Sequence, residues 1–301
     1  MKIQIVEVGP RDGLQNEKAQ ISIADKISII KHLVASGLKR IEVGAFVSPQ
    51  WVPQMQGSEE VVNQLNADFA SLIKSKKVEF SVLVPNETGM KRALNTKIKN
   101  IAIFGACSES FSKKNINCSI AESFVRFENV IKKAKQNKIK VRGYLSMAFG
   151  CPHEGAVPIA RVVSLTKKML ALGVAEVSIG DTIGVATPKQ VELLIKAFKK
   201  NKVSLNKIAM HFHNTRGTAL ANVLKALEMG IKTFDSSVGG LGGCPYAKGA
   251  SGNLSTEDLV YMLHGMGYKT GVSLKSLVEY FPSLQGLLKR ELPSLTARAS
   301  L

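Results

Sequence analysis

Eight short β-rich runs alternating with helical segments, brief helix-to-strand links and long strand-to-helix loops predict an α/β protein, a (β/α)8 barrel. The runs are Ile3–Val8, Arg40–Phe46, Val78–Val84, Asn100–Phe104, Val141–Met147, Ala175–Ile179, Ile208–His213 and Thr233–Val238. Three of the intervening helices close on one formula, a glycine just ahead of the next strand: Ser36-Gly37-Leu38, Leu172-Gly173-Val174 and Met229-Gly230-Ile231. That is the sequence form of a left-handed C-cap. Helix starts are equally legible: Thr187-Pro188 is an N-cap followed by proline at the first helical position, and Ser255 is a cap with Asp258 three residues on. The loops at 9–21, 44–57, 105–119, 148–157 and 238–254 all follow strands, which places function at the strands' C-terminal face. A doubly wound open sheet is the alternative, but no G-x-G-x-x-G follows the first strand and no Walker motif occurs. Residues from about 267 to 301 form an additional C-terminal helical segment, with Pro282 and Pro293 expected as breaks. No linker divides the chain, so 1–301 is expected to be a single barrel domain.

Composition narrows the function classes. Hydrophobic residues at 45% and charged residues at 21% describe an ordinary soluble protein, and no run of about 18 apolar residues is present to span a membrane. Met1-Lys2 leads straight into the first strand, so no targeting peptide is expected and the cytoplasm is the expected location. Cysteines 107, 118, 151 and 244 show neither C-x-x-C nor zinc-finger spacing, which points to free thiols in a reducing compartment. The net charge of +18, from 41 basic and 23 acidic residues, invites a polyanionic partner. Yet the lysines fall in short groups on helix faces, with no aromatic interleaving and only one Trp in the chain. Solvated helix faces explain most of the charge; a small-molecule substrate is expected, with no nucleic acid and no membrane as partner.

The run Ser237-Val-Gly-Gly-Leu-Gly-Gly-Cys-Pro-Tyr246, continuing to Asn253, sets six glycines around Cys244. Glycine at this density serves positive φ or close backbone approach, so the loop is either a ligand wrapper with Cys244 as its reactive group or a flexible surface loop with an incidental thiol. His211-Phe-His213 ends the seventh run, and the period-2 pleat sets both imidazoles on one side, where they can share a metal. In a closed barrel the eighth strand neighbours the first and the seventh, so Asp12 and Asn253 can complete a set of Asp12, His211, His213 and Asn253. Such a mixed N/O set favours Mg²⁺ or Mn²⁺ over zinc. Arg11, Glu42 and Asp181 lie at the same mouth, where ionisable groups are expected to be catalytic together with Cys244. His32 and His264 fall on helices and are expected to be structural, whereas His153 on a mouth loop is open to either role.

Val6-Glu-Val-Gly-Pro-Arg-Asp-Gly-Leu-Gln-Asn-Glu17, Phe46-Val-Ser-Pro-Gln-Trp-Val-Pro-Gln-Met55, Lys113-Lys-Asn-Ile-Asn-Cys118, Gly180-Asp-Thr-Ile-Gly184 and Ser237–Asn253 together resemble the 3-hydroxy-3-methylglutaryl-CoA lyase family over residues 3 to 275. The Gly-Leu-Gly-Gly-Cys-Pro-Tyr run is specific to that family, while the Arg-Asp-Gly and H-x-H elements are shared with other barrel metal-dependent lyases, aldolases and Claisen-type synthases. The resemblance implies a (β/α)8 barrel that cleaves (S)-3-hydroxy-3-methylglutaryl-CoA to acetyl-CoA and acetoacetate, serving leucine breakdown and ketone-body formation, with a homodimer as the family's usual state. It also implies cation ligands at Asp12, His211, His213 and Asn253 and catalytic positions at Arg11, Glu42, Asp181 and Cys244.

In that chemistry the divalent cation chelates the C3 oxygen and the substrate carboxylate. Arg11 holds the thioester oxygen as charge develops, and Cys244 manages the proton delivered to the enolate carbon. The base is Asp181, Glu42 or a metal-bound water that they orient. Lys18, Lys113, Lys114, Arg216 and Lys248 lie on loops that can reach coenzyme A phosphates, or are surface charges. The chain departs from the family's pattern at Asn214, which drops a carboxylate beside the second histidine, and at His153 in Cys151-Pro-His-Glu-Gly155. A related 3-hydroxyacyl-CoA or a 2-keto acid is the alternative substrate.

Overall fold

In a computed structural model, which describes residues 3–243 and 252–300, the eight expected runs pair in chain order into a closed parallel barrel. The strands are β1 (Gln4–Glu7), β2 (Arg40–Ala45), β3 (Glu79–Leu83), β4 (Asn100–Ala106), β5 (Lys140–Ser146), β6 (Glu176–Asp181), β7 (Ile208–Phe212) and β8 (Thr233–Ser236). Closure is made by β8 against β1, with Gln4 opposite Thr233 and Glu7 opposite Ser236. Because every strand is covered by a helix outside and side chains inside, nearly all strand residues are buried, as an all-parallel sheet requires.

The connecting helices show why these segments coil. Ile120–Gln136 starts on a reciprocal capping box between Ser119 and Glu122 and buries Phe124, Phe127, Val130, Ile131 and Ala134 along one face. Pro188–Lys200 starts on the Thr187 cap with Gln190 as its reciprocal partner. Gly37, Gly173 and Gly230 adopt φ of +93°, +101° and +105°, the left-handed exit that their spacing predicts.

The C-terminal segment is helical but differs from expectation at one proline. Pro282 lies inside the helix Leu274–Leu288 instead of ending it. The N–H it lacks costs one helical hydrogen bond, and burial of Leu277, Phe281, Leu284 and Leu288 on one face holds the helix through that gap. The short helix Leu295–Ala299 follows, tied down by Asp258, whose carboxylate accepts from the Thr296 N–H at 2.7 Å and the Ser294 hydroxyl at 3.2 Å. Asp258 therefore spends its charge on the C-terminal segment, while its own N–H is capped by Ser255. Leu292 and Pro293 seat against the root of the glycine loop: a Cβ added to Gly239 would lie 2.7 Å from Leu292 Cδ1, and one on Gly240 2.9 Å from Pro293 Cγ. Among the described residues, no helix is long and apolar enough to cross a membrane.

Candidate active site

A cavity of about 260 Å³ opens at the C-terminal face of the barrel. Its polar side is built from the ends of β1, β7 and β8. After β1 the chain turns so tightly that the Val8 carbonyl accepts from the N–H groups of Arg11, Asp12 and Gly13, at 3.1, 2.7 and 3.2 Å. This turn sends Arg11 and Asp12 into the cavity. After β8, residues 252–256 return between the ends of β7 and β8: Asn214 N–H donates to Gly252, Leu254 N–H to Phe212, and Thr256 N–H to Ser237. The return sets Asn253 opposite His213. The neck is narrow: a Cβ on Gly252 would meet Gly242 backbone at 2.9 Å, and Gly242 itself has φ of +105° and would set a Cβ 2.7 Å from Asn253 Nδ2.

Ligand atoms of Asp12, His211 and His213 come within 4.8 Å of one another, so the three sequence-predicted donors converge. Asn253 joins them by donating from Nδ2 to Asp12 Oδ2 at 2.9 Å. Two buried polar atoms in this group have no hydrogen-bond partner, His213 Nδ1 and Asn253 Oδ1. Buried acceptors left open are costly unless something fills them. Burial, and then the neighbouring His211, push the His213 imidazole down to about 3, so it is neutral and able to ligate. Burial opposes the Asp12 charge, yet Arg11, His211 and His213 outweigh it and hold the carboxyl at about 2. A neutral imidazole, an ionised carboxylate and an open amide oxygen are the donor chemistry of a divalent-cation site.

Arg11 is the hub of the remaining charges. It donates from Nε to Glu42 Oε2 at 2.6 Å and from Nη1 to Asp12 Oδ1 at 2.7 Å, with its guanidinium 5.5 Å from the Tyr144 ring centroid. Glu42 is fully buried, and its Oε2 also accepts from the Tyr144 hydroxyl at 3.1 Å. Burial pushes the Glu42 carboxyl up, against the pull of Arg11. Glu42 does not line the cavity; it stands behind Arg11. Asp181 does not line it either. Its two oxygens accept the N–H groups of Val185 and Ala186, at 2.9 and 3.1 Å, and burial raises its pKa to about 6. Cys244 and Lys248 lie outside the described residues, although Gly242 and Gly243, just before the cysteine, line the cavity.

Other expected groups have plain partners. His32 stacks on Tyr280 at 4.0 Å, and His264 Nε2 lies 2.8 Å from Thr270 Oγ1, both structural as expected. Arg216 holds the carbonyls of Ile183 and Gly184, and Asn214 Oδ1 caps the helix Ala219–Glu228 at Ala219. Lys114 Nζ lies 3.4 Å from His153 Nδ1 on the mouth loops, while Lys18 and Lys113 are exposed.

Sequence reasoning missed the polar column beneath the site. Arg142 donates to both oxygens of Asp235, at 2.6 and 3.1 Å, and from Nε to Glu176 at 2.8 Å. Asp235 Oδ2 also accepts from the Ser178 hydroxyl at 2.7 Å and faces His211 Nδ1 at 3.3 Å. Burial disfavours charge on His211, but Asp235 outweighs it and raises the imidazole's pKa. The column thus orients the histidine from below, as carboxylates behind metal-binding histidines do. Its signal was available: charged residues inside apolar strands demand partners.

A second buried network joins the two loops that carry the site. Glu7 Oε1 accepts from the N–H groups of Gly9 and Val238, at 2.7 and 2.9 Å, and Oε2 from the Thr256 hydroxyl at 2.7 Å. Glu257 accepts the Gly239 N–H at 2.9 Å and the Ser255 hydroxyl at 2.7 Å. Burial raises both carboxyls from 4.5 to about 7. A raised folded pKa means the folded state binds the proton more tightly, so this contribution to stability is complete below about pH 4.5 and is lost as pH rises through about 7. Glu7→Gln is therefore expected to flatten the fall of Tm between about pH 5 and 8. A profile that keeps the wild-type slope would count against Glu7 as its source.

Comparison with known proteins adds an independent line. A family model described as HMGL-like matches residues 2–281. Human mitochondrial hydroxymethylglutaryl-CoA lyase is 50% identical over 299 residues, covering 99% of this chain and 90% of that protein. The 3-hydroxy-3-isohexenylglutaryl-CoA/hydroxymethylglutaryl-CoA lyase of Pseudomonas aeruginosa is 47% identical, covering 100% of this chain and 97% of its own length. The structure of an HMG-CoA lyase from Acinetobacter baumannii, in complex with coenzyme A and 3-methylmalate, superposes with a TM-score of 0.91 at 36% identity, covering 99% of this chain and 94% of that one.

Proposed function

The chain belongs to the HMGL-like family, and from that premise we propose that it is a hydroxymethylglutaryl-CoA lyase, a carbon–carbon lyase that splits hydroxymethylglutaryl-CoA into acetyl-CoA and acetoacetate. The observation that carries the reading is the convergence of Arg11 with Asp12, His211, His213 and Asn253 in one cavity of a chain about half identical to such lyases along nearly its full length. The reaction passes the C3 hydroxyl proton to a base, Asp181, Glu42 or a water that they orient, moves the C2–C3 bonding pair into the thioester enolate and returns a proton to C2 of that enolate.

Asp12, His211, His213 and Asn253 would hold a divalent cation, Mg²⁺ or Mn²⁺, which supplies a Lewis acid and a template for the C3 oxygen and the substrate carboxylate. Arg11 is fixed by Glu42 and Asp12, so its permanent charge is already aimed when the enolate oxygen develops, with no reorganisation needed. Glu42 acts through Arg11, and Tyr144 braces both by ring and hydroxyl. Asp181 acts by fixing the loop that starts the helix after β6, leaving Thr182 on the cavity wall. Cys244, reached through Gly242 and Gly243, is assigned the proton delivered to the enolate carbon. A cytoplasmic setting agrees with Cys107, Cys118 and Cys151, all buried and free.

Purified protein incubated with hydroxymethylglutaryl-CoA is expected to release acetoacetate when Mg²⁺ or Mn²⁺ is present and to stop on chelation. No acetoacetate with either cation would overturn the assignment.

A further inference from the structure

The positive charge of the chain is unevenly placed. In a parallel barrel every connection from a helix to the next strand lies at the end opposite the mouth, and the seven here carry nine lysines and no aspartate or glutamate. All nine are exposed, and among the described residues none pairs with a carboxylate. Four of them, Lys39, Lys99, Lys207 and Lys232, immediately precede β2, β4, β7 and β8. Four more, Lys76, Lys97, Lys138 and Lys202, leave their helices at φ between +56° and +59°, the left-handed position that Gly37, Gly173 and Gly230 fill elsewhere in the barrel. A side chain there carries a steric cost that glycine avoids, so conformation alone does not call for lysine. The two carboxylates at the strand starts are already taken, Glu176 by Arg40 and Arg142 at 2.8 Å each, and Glu79 by Arg40 and Lys140 at 3.9 Å each. Helix C-termini account for part of the surplus. Each presents about half a negative charge, so seven offset about four of the nine and leave about five without a counter-charge.

We propose that this end of the barrel docks on the headgroups of a bilayer rich in anionic phospholipid. The lysines occupy six of the seven connections, all but residues 172–175 ahead of β6, so they ring the barrel axis. A flat sheet of phosphates meets such a ring all at once, whereas a nucleic-acid strand or duplex meets only the lysines along one line. The residue type agrees. Lysine is a compact, hydrated point charge, and no arginine, whose planar fork suits bidentate recognition, occurs in these connections. Cavities of about 180 Å³ beside Lys39 and Lys76, and of about 280 Å³ beside Lys97 and Lys99, give phosphates seats next to cations. The anionic cytoplasmic leaflet attracts basic residues within about a Debye length, so the contact is reversible and salt-sensitive and needs no spanning helix. The mouth then points away from the bilayer, which leaves the cavity open to a water-soluble thioester.

The test is co-sedimentation of the full-length protein with phosphatidylcholine vesicles containing about 30% phosphatidylglycerol, against vesicles of phosphatidylcholine alone. Binding is expected on the anionic vesicles only, weakening as salt rises from about 0.05 to 0.5 M. A variant combining Lys76→Gly, Lys97→Gly, Lys138→Gly and Lys202→Gly removes four charges and keeps the left-handed exits. Its vesicle affinity is expected to fall about 100-fold or more, at roughly fivefold for each lysine. Its acetoacetate release is expected to match the parent, since no residue of the mouth is altered. A control combining Lys91→Gln, Lys132→Gln, Lys167→Gln and Lys275→Gln, exposed lysines on helix faces, has the same net charge and is expected to keep most of the affinity. Equal binding to neutral vesicles, or none to either kind, overturns the proposal. An equal loss in both variants makes net charge the cause and overturns it too. Tighter binding to single-stranded RNA at matched phosphate concentration, lost in the glycine variant, assigns this face to nucleic acid and likewise overturns it.

Discussion

Arg11→Met is expected to lower kcat by about 100- to 1,000-fold, the range seen when one preorganised donor to a developing oxyanion is removed. The same change is expected to destabilise the protein by about 3–5 kcal/mol, because it leaves Glu42 fully buried without the guanidinium that balances it. The two effects are separable. Adding Glu42→Gln removes the stranded charge, so the double variant is expected to regain most of the stability and none of the turnover. Chemical denaturation and steady-state kinetics on the four proteins of this cycle give both numbers. If the double variant recovers activity along with stability, Arg11 acts only as a structural counter-ion.

Asp235→Asn is the second large expectation. The carboxylate sits between Arg142 and His211, and burial opposes its charge while Arg142 and His211 hold its pKa far below the usual carboxylate range. Neutralising it removes the buried one of Arg142's two carboxylate partners and leaves Glu176 as the other, at a cost of about 1–3 kcal/mol. It also frees the His211 ring from the group that orients it, for which an affinity loss of about 10- to 100-fold toward the cation is expected. Thermal unfolding reports the first effect and calorimetric titration with Mn²⁺ the second. Unchanged Mn²⁺ affinity in a destabilised variant would confine Asp235 to a structural role.

The fold was legible because a parallel barrel writes itself in short periods. Alternation and apolar runs marked eight strands, and the glycines at 37, 173 and 230 marked helix exits whose positive φ the backbone confirms. Strand limits drifted where the chain leaves the ladder for functional geometry. Val8 was expected within β1, but its carbonyl is taken by the turn that carries Arg11 and Asp12. Val238 was expected within β8, but its N–H is taken by Glu7.

The convergence of Asp12, His211 and His213 was also legible, since chain order around a closed barrel makes β8 the neighbour of both β1 and β7. Arg142, Glu176 and Asp235 were visible as charges inside apolar strands, yet their pairing was not. Partners across a barrel depend on strand stagger, which no local pattern encodes. The division of labour between Arg11 and Glu42 was hidden for the same reason, since a sequence does not say which of two mouth residues stands in front.

The seating of Leu292 and Pro293 on Gly239 and Gly240 bears on when the enzyme becomes an enzyme during its own synthesis. Asp12 and Thr296 are separated by most of the chain, so at about 5–20 residues per second the ribosome delivers the second roughly 15–60 s after the first. Until then the root of the cysteine-bearing loop lacks one of its walls. A nascent chain halted near residue 290 would have all eight strands but an unsupported catalytic mouth, so translation itself sets the order in which barrel and activity emerge.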